Sequence, residues 1–309
     1  MRLIGVVVPA ETGTAGSAPH ASGGGAFDRE GETWVARTER LDTPTVGSAT
    51  LLAPLRRFWA DPASAMARPD GRRVEVGGGP AGGGLEVVPP VLPEARVVCV
   101  GLNYADHIAE GSFANVEHPP YPTLFARWTR SLTVGGVSAP TNANEGGLDW
   151  EGEIAAWVGA PLCEASEDEA RAAILGYSTF NDLTSRIAQK LTSQWILGKN
   201  GDRSGPIGPL VTADEVGDLR DGLRLQTRVN GEVVQESTTD KQIYEVAATL
   251  AHISQTLTLQ PGDILCTGTP AGVGYAREPQ WLLGDGDVVE VEVERLGVLR
   301  TPITGPADR

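Results

Sequence analysis

Two glutamates, two residues apart and set among tryptophan and isoleucine, constrain this chain more than any other feature. The segment reads Asp149-Trp150-Glu151-Gly152-Glu153-Ile154, with Trp157 close behind. On an extended strand, residues i and i+2 point to one face, so Glu151 and Glu153 share a face of a segment whose flanks belong in a core. Carboxylates drawn toward an interior need partners, and two on one face repel unless a cation lies between them. A second apolar run, Tyr177–Phe180, ends in Asn181-Asp182, and Gly198-Lys199 follows. Glu151, Glu153 and Asp182 are hard oxygen ligands with no His or Cys pair at zinc spacing nearby. That set suits Mg²⁺ or Mn²⁺, and Ca²⁺ less selectively. A cation held this way polarises a keto-acid oxygen and stabilises an enolate. Two surface glutamates and a turn aspartate are the plain alternative, and the aromatic flanks weigh against it.

A chain of 309 residues holds one large domain, or a main domain with a smaller partner. Its net charge of −15 argues against nucleic acid or an anionic membrane as partner. Cys99, Cys163 and Cys266 are too scattered for a disulfide framework, and all three read as buried free thiols in a reducing cytoplasm. No apolar run approaches the roughly 18 residues of a membrane helix. Leu3–Ala10 reads as a first strand rather than a signal peptide.

Residues 1–92 read as a small N-terminal domain with its linker, and 93–309 as the main domain. In the first part, Leu3–Pro9 and Thr33–Ala36 are expected strands, Thr12–Ala26 a loop, and Leu51–Met66 helical in parts. Gly77–Gly84 with Pro89-Pro90 is a linker or hairpin loop. In the second part, Val97–Leu102, Ile154–Val158, Tyr177–Phe180, Ile264–Cys266, Val288–Val293 and Val298–Ile303 are expected strands. Leu223–Val229, Asn230-Gly231 and Glu232–Gln235 form a hairpin, since Asn-Gly supplies the positive φ angles of a type I′ turn. Ser166 is a candidate N-cap for a helix over Glu167–Leu175, and the apolar spacing predicts a helix over Lys241–Thr256. Helices are few and do not alternate with strands, so the fold class is α+β.

Three further motifs carry chemistry. In Gly101-Leu102-Asn103-Tyr104-Ala105-Asp106-His107-Ile108-Ala109-Glu110, His107 and Glu110 are three apart and share a helical face, so the glutamate can orient the imidazole as a water-activating base; a surface pair is the alternative. Arg186, Gln189 and Lys199 would bind an anionic substrate beside the carboxylates; an ordinary exposed helix carrying Arg186, Gln189 and Lys190 is the alternative. The run Pro261–Gly274, with Thr267-Gly268-Thr269-Pro270, is a strand entering a Gly/Pro loop whose amides can cradle a carboxylate, or a plain turn.

Together and in this order, these segments resemble the fumarylacetoacetate hydrolase family. The likeness runs from about Val97 to Leu299 and adds Gln194-Trp195, Gly205-Pro206-Ile207-Gly208-Pro209 and Leu283-Gly284-Asp285-Gly286-Asp287. The resemblance implies a β-rich catalytic domain built as a multi-sheet roll, a bound divalent cation and a homodimer. It implies Glu151, Glu153 and Asp182 as metal ligands, His107 and Glu110 as the water-activating pair, and Lys199 beside the bound keto acid. It implies Arg186, Gln189 and Thr269 as substrate contacts, with Arg127 at a substrate-binding position where lysine is common. The activity implied is hydrolytic carbon–carbon cleavage of a β-diketo acid, an acylpyruvate or fumarylacetoacetate-like compound, to a 2-oxo acid. Decarboxylation or tautomerisation of an oxaloacetate-like acid is the alternative, and a non-catalytic binding protein is the alternative of another class.

Overall fold

The protein is described by a computed structural model covering residues 1–9, 31–77, 83–110 and 120–308. The expected loop at 12–26 lies outside the described residues, as does the middle of the Gly77–Gly84 stretch. Among the described residues the fold is α+β and rich in strands: two sheets, short helices, and no helix long and apolar enough to cross a membrane.

The large sheet runs, by neighbouring strands, Arg73–Val76, Gly47–Pro54, Glu32–Thr38, Arg2–Val8, Leu210–Thr212, Ile174–Asn181, Gly152–Val158, Ile264–Cys266, Val97–Gly101 and Thr123–Arg127. Every residue of Gly152–Val158 is buried, as a strand covered on both faces must be. Its antiparallel register against Ile174–Asn181 pairs Gly152 with Asn181 and Glu153 with Phe180. Asp182 then falls opposite Glu151, and its N–H donates to the Glu151 carbonyl at 2.9 Å. Opposite residues in an antiparallel pair share a face, so backbone pairing alone gathers Glu151, Glu153 and Asp182.

The second sheet, Glu232–Thr238, Arg224–Val229, Val288–Val293, Gly297–Thr304 and Ala139–Pro140, packs against that region. Gly152 permits the approach. A Cβ there would stand 2.2 Å from Thr227 Oγ1, so a larger residue between the two glutamates would push the sheets apart.

The expected boundary near residue 92 falls in the proline-rich run between strands Glu86–Val88 and Val97–Gly101. Hydrogen bonding crosses it. Arg2–Val8 pairs with Leu210–Thr212 through Arg2–Val211 and Leu3–Leu210, and Trp59 stacks on Trp157, centroids 5.7 Å apart.

Several expected elements form as read. Asn230 and Gly231 take φ of 52° and 85° in the hairpin turn, and Ser166 closes a capping box with Glu169. Others differ. Leu51–Pro54 is strand, and helix begins only at Leu55. The helix expected from Lys241 begins at Val246, because Asn103 claims the preceding backbone: its carbonyl accepts from Ile243 N–H and its Oδ1 from Tyr244 N–H. Cys163 is exposed, correcting its reading as a buried thiol, whereas Cys99 and Cys266 are buried on paired strands.

Candidate active site

The three carboxylates offer ligand atoms within 4.8 Å of one another, all from buried residues. Lys199 reaches into them from the short helix Ile196–Lys199, donating to Glu151 Oε2 at 2.6 Å and Asp182 Oδ2 at 2.7 Å. Gly198 lets this helix pack against Arg186–Lys190, since a Cβ there would lie 2.5 Å from the Gln189 Cβ. Arg186 heads that neighbouring helix, whose first turn is capped by Glu145 accepting from the Ile187 and Ala188 N–H groups, each at 2.8 Å. Its guanidinium lies 2.7 Å from both Asp149 and Glu151 and donates to Gln189 Oε1 at 2.9 Å. Arg186 and Gln189 are buried, so the exposed-helix alternative does not hold for them.

The two neighbouring glutamates are pushed in opposite directions. Burial works to raise both. At Glu151 the charges of Lys199 and Arg186 outweigh burial and hold the carboxyl at about 2. At Glu153 burial is joined by repulsion from Asp182 and Glu151, which puts it well above the ordinary glutamate value. Among the described residues no cation pairs with Glu153; its Oε2 accepts from the Gly268 N–H at 3.1 Å. Burial would lower the Lys199 ammonium, but Asp182 and Glu151 overcome it and raise it, so it stays charged.

This donor set fits a divalent cation. Glu151, Glu153 and Asp182 supply hard oxygens at close spacing, and Glu153 is an ionisable buried group that lacks a counter-charge. Ligands must be deprotonated to bind. Cation binding to the metal-free protein is therefore expected to expel a proton from Glu153, with affinity rising as pH rises. Calorimetric titration of Mg²⁺ or Mn²⁺ in buffers of different ionisation enthalpy measures that proton directly; buffer-independent heats and a pH-independent affinity would refute it.

His107 and Glu110 lie on the helix Ala105–Glu110, with Nδ1 2.8 Å from Glu110 Oε1. Glu110 Oε2 accepts from the Gly272 N–H at 2.8 Å, tying the pair to the Gly/Pro loop. Both residues border the cavity of about 510 Å³ that Glu151, Glu153, Arg186, Gln189, Lys199 and Thr269 also line, so eight of the ten expected site residues and ligands line one space, and Asp182 lies beside two of them in the acidic triad. The Thr269 hydroxyl donates to the Gly152 carbonyl at 3.0 Å and accepts from Gln235 Nε2 at 2.9 Å, so its proton is committed to the protein.

Arg127 is the exception. It is buried behind the carboxylates and is not among the cavity's lining residues. Its Nε donates to Asp182 Oδ1 at 2.9 Å and its other nitrogens to Ser131, Ser204 and the Leu183 carbonyl. Its place corrects the substrate-contact expectation: it braces a candidate ligand. Two residues were missed. Asp149 accepts from the N–H groups of Gly274 and Tyr275 at 2.7 and 3.1 Å while pairing with Arg186. Gln235 ties the Gly152 N–H to the Thr269–Pro270 loop. Asp149 stood in the acidic segment itself; Gln235, in a hairpin strand, carried no signal.

The sequence matches the family model described as fumarylacetoacetate (FAA) hydrolase C-terminal over residues 96–304. It is 39% identical over 214 residues to the mitochondrial oxaloacetate tautomerase Fahd2a of Rattus norvegicus, covering 68% of this chain and 66% of that protein. It is 40% identical over 220 residues to 2,4-didehydro-3-deoxy-L-rhamnonate hydrolase of a Sphingomonas species, covering 70% and 75%. The fold is similar to the crystal structure of fumarylpyruvate hydrolase from Pseudomonas aeruginosa in complex with Mn²⁺ and pyruvate, with a TM-score of 0.62, 31% identity, and coverage of 71% of this chain and 91% of that one. The match to the rat protein thus spans about two thirds of that relative's length.

Proposed function

This chain belongs to the fumarylacetoacetate hydrolase family, and from that membership we propose that it hydrolyses a carbon–carbon bond in a 2,4-dioxo acid, releasing a 2-oxo acid. The observation that carries the reading is the His107–Glu110 pair bordering the same cavity as the carboxylates. Tautomerisation moves protons and consumes no water, whereas an imidazole backed by a carboxylate is a device for activating water.

A divalent cation held by Glu151, Glu153 and Asp182 supplies Lewis acidity toward the substrate's 2-oxo acid end. The chain's own residues do the rest. Glu110 takes the Nδ1 proton of His107 in a hydrogen bond, which leaves Nε2 as the base toward the cavity. Nε2 removes a proton from water, and the oxygen attacks the distal carbonyl. The bond between the attacked carbon and its neighbour breaks, and its electrons pass into the 2-oxo acid fragment as an enolate. The Lys199 ammonium, buried and kept charged, offsets that developing negative charge. Returning a proton to carbon yields the 2-oxo acid. Asp149 holds Arg186 and the Gly274–Tyr275 backbone in register, so the cavity wall does not give way as charge shifts.

The second reading, tautomerisation of an oxaloacetate-like acid, is favoured by the identity to the rat tautomerase. Product analysis separates the two. With acetylpyruvate and Mg²⁺ or Mn²⁺, pyruvate and acetate are expected in equal amounts, and EDTA is expected to abolish both. Untouched acetylpyruvate together with accelerated keto–enol exchange of oxaloacetate would replace the hydrolase reading with the tautomerase one. Release of CO₂ from oxaloacetate would identify a decarboxylase.

A further inference from the structure

The helix that carries His107 is held by its ends. None of the six residues of Ala105–Glu110 is buried, and a helix this short relies on tertiary contacts for its place. At the far end Glu110 Oε2 accepts from the Gly272 N–H at 2.8 Å. At the near end lies Asn103, 1% exposed, whose side-chain amide is spent on two other segments. Its Nδ2 donates to the Thr267 carbonyl at 2.7 Å and to the Tyr244 carbonyl at 3.1 Å, and its Oδ1 accepts from the Tyr244 N–H at 2.7 Å. The next residue, Tyr104, is buried as well, and its hydroxyl accepts from Gln242 Nε2 at 3.3 Å. Thr267 and Gly272 belong to the loop whose Gly268 N–H donates to Glu153. The helix is thus fastened at both ends to the loop that touches a candidate ligand. From this we propose that Asn103 is a positioning residue: through its bond to Thr267 it fixes where His107 stands relative to the acidic triad.

The backbone around Asn103 agrees. Leu102, just before it, lines the cavity and takes φ of 62°, in the left-handed region that a leucine adopts only where its surroundings hold it. Gly268 takes φ of 84°, and a Cβ there would stand 2.9 Å from the Asn103 Cβ and 2.9 Å from the Val100 carbonyl oxygen. The two turns therefore pack directly on each other, and the Asn103 amide closes the joint. Thr267 does not depend on that joint for its own place. Its N–H donates to the Ile154 carbonyl at 2.9 Å, and its Oγ1 accepts from the Ile154 N–H at 3.3 Å. Losing the Asn103 amide thus loosens the helix rather than the strand that carries the glutamates. A buried amide whose nitrogen meets two carbonyls has no easy substitute. Aspartate keeps the shape and the acceptor for the Tyr244 N–H, but sets an oxygen against both carbonyls.

The inference rests on His107 being the base, so its test pairs turnover with a measurement that needs none. Asn103→Asp and Asn103→Ala are compared with the parent; the alanine variant buries no charge, so a folding failure of the aspartate variant leaves the test standing. Acetylpyruvate kcat is expected to fall about a hundredfold in both, the scale of a base displaced by about an ångström. KM should change little, because the acid still meets the same cation and walls, and Mg²⁺ affinity by calorimetry should stay close to the parent's. Hydrogen exchange on the metal-free protein, read by mass spectrometry, is expected to quicken over residues 104–110 in both variants. In Asn103→Asp, which keeps the acceptor for Tyr244, exchange over Val246–Ser254 should match the parent. A purely structural role would quicken exchange in both segments alike and leave kcat per folded molecule unchanged. That result, a rise in KM in place of the fall in kcat, or unchanged exchange over 104–110 would overturn the proposal. A parent that leaves acetylpyruvate untouched, with exchange quickening as expected in the variants, would remove the hydrolase reading and leave Asn103 its role; hydrolysis by the parent with kcat unchanged in both variants does the reverse.

Discussion

Glu153→Gln and Asp182→Ala are both expected to abolish cation binding and to cut turnover on the order of a thousandfold or more, the scale of losing several kcal/mol of charge stabilisation, yet they should part company on stability. Asp182 is fully buried and holds two cations, Arg127 on one oxygen and Lys199 on the other. Removing one member of such a set strands buried charge and costs about 3–5 kcal/mol. Glu153 has one backbone donor and two like-charged neighbours. Its carboxyl titrates above the ordinary glutamate value in the fold, so the metal-free protein loses stability as pH rises out of the ordinary glutamate range toward that raised value. Glutamine escapes this loss. Urea denaturation in EDTA at neutral pH should therefore find Glu153→Gln at least as stable as the parent and Asp182→Ala much weaker. Equal destabilisation of the two variants would show that Glu153 is paired in a way this geometry does not contain.

His107→Asn carries the second large effect. Removing the base should lower acetylpyruvate hydrolysis by about 10²–10⁴-fold, the ordinary range for a positioned general base, with Mg²⁺ affinity little changed because His107 lies outside the acidic triad. Glu110→Gln should fall between, since an amide still accepts from Nδ1 but no longer steadies a charged imidazole. Full hydrolysis by His107→Asn would show that the dyad is not the base. Loss of hydrolysis with oxaloacetate tautomerisation intact would show one cavity serving two reactions through separable groups.

The contrast between these residues explains what the sequence could convey. Glu151 and Glu153 were legible as a shared face because strand alternation fixes it locally, and His107 with Glu110 because a helical turn does. The Asn230-Gly231 turn and the Ser166 cap were legible for the same reason: each is set by residues within a few positions of one another. Lys199 was legible as a cation near the carboxylates, but not the place it takes among them. Its seat between Glu151 and Asp182 depends on a helix packing on Gly198, and neither partner lies near it in the chain. Arg127 was misassigned because a buried arginine serving a carboxylate and one serving a substrate leave the same trace in sequence. The late start of the Val246–Ser254 helix was hidden for a related reason: Asn103, far upstream, takes the hydrogen bonds that another turn would need.

The N-terminal strand also bears on how the catalytic part could stand alone. Arg2–Val8 lies along Leu210–Thr212 on one side and Glu32–Thr38 on the other. A shortened chain holding only the family-matched residues 96–304 would keep every candidate ligand. It would also leave Leu210–Thr212, whose other neighbour is Ile174–Asn181, with a bare and apolar margin. Exposed strand margins of that kind recruit other chains. The strand Arg2–Val8 thus covers a margin of the sheet that carries the acidic triad, and removing it is expected to favour self-association through that margin.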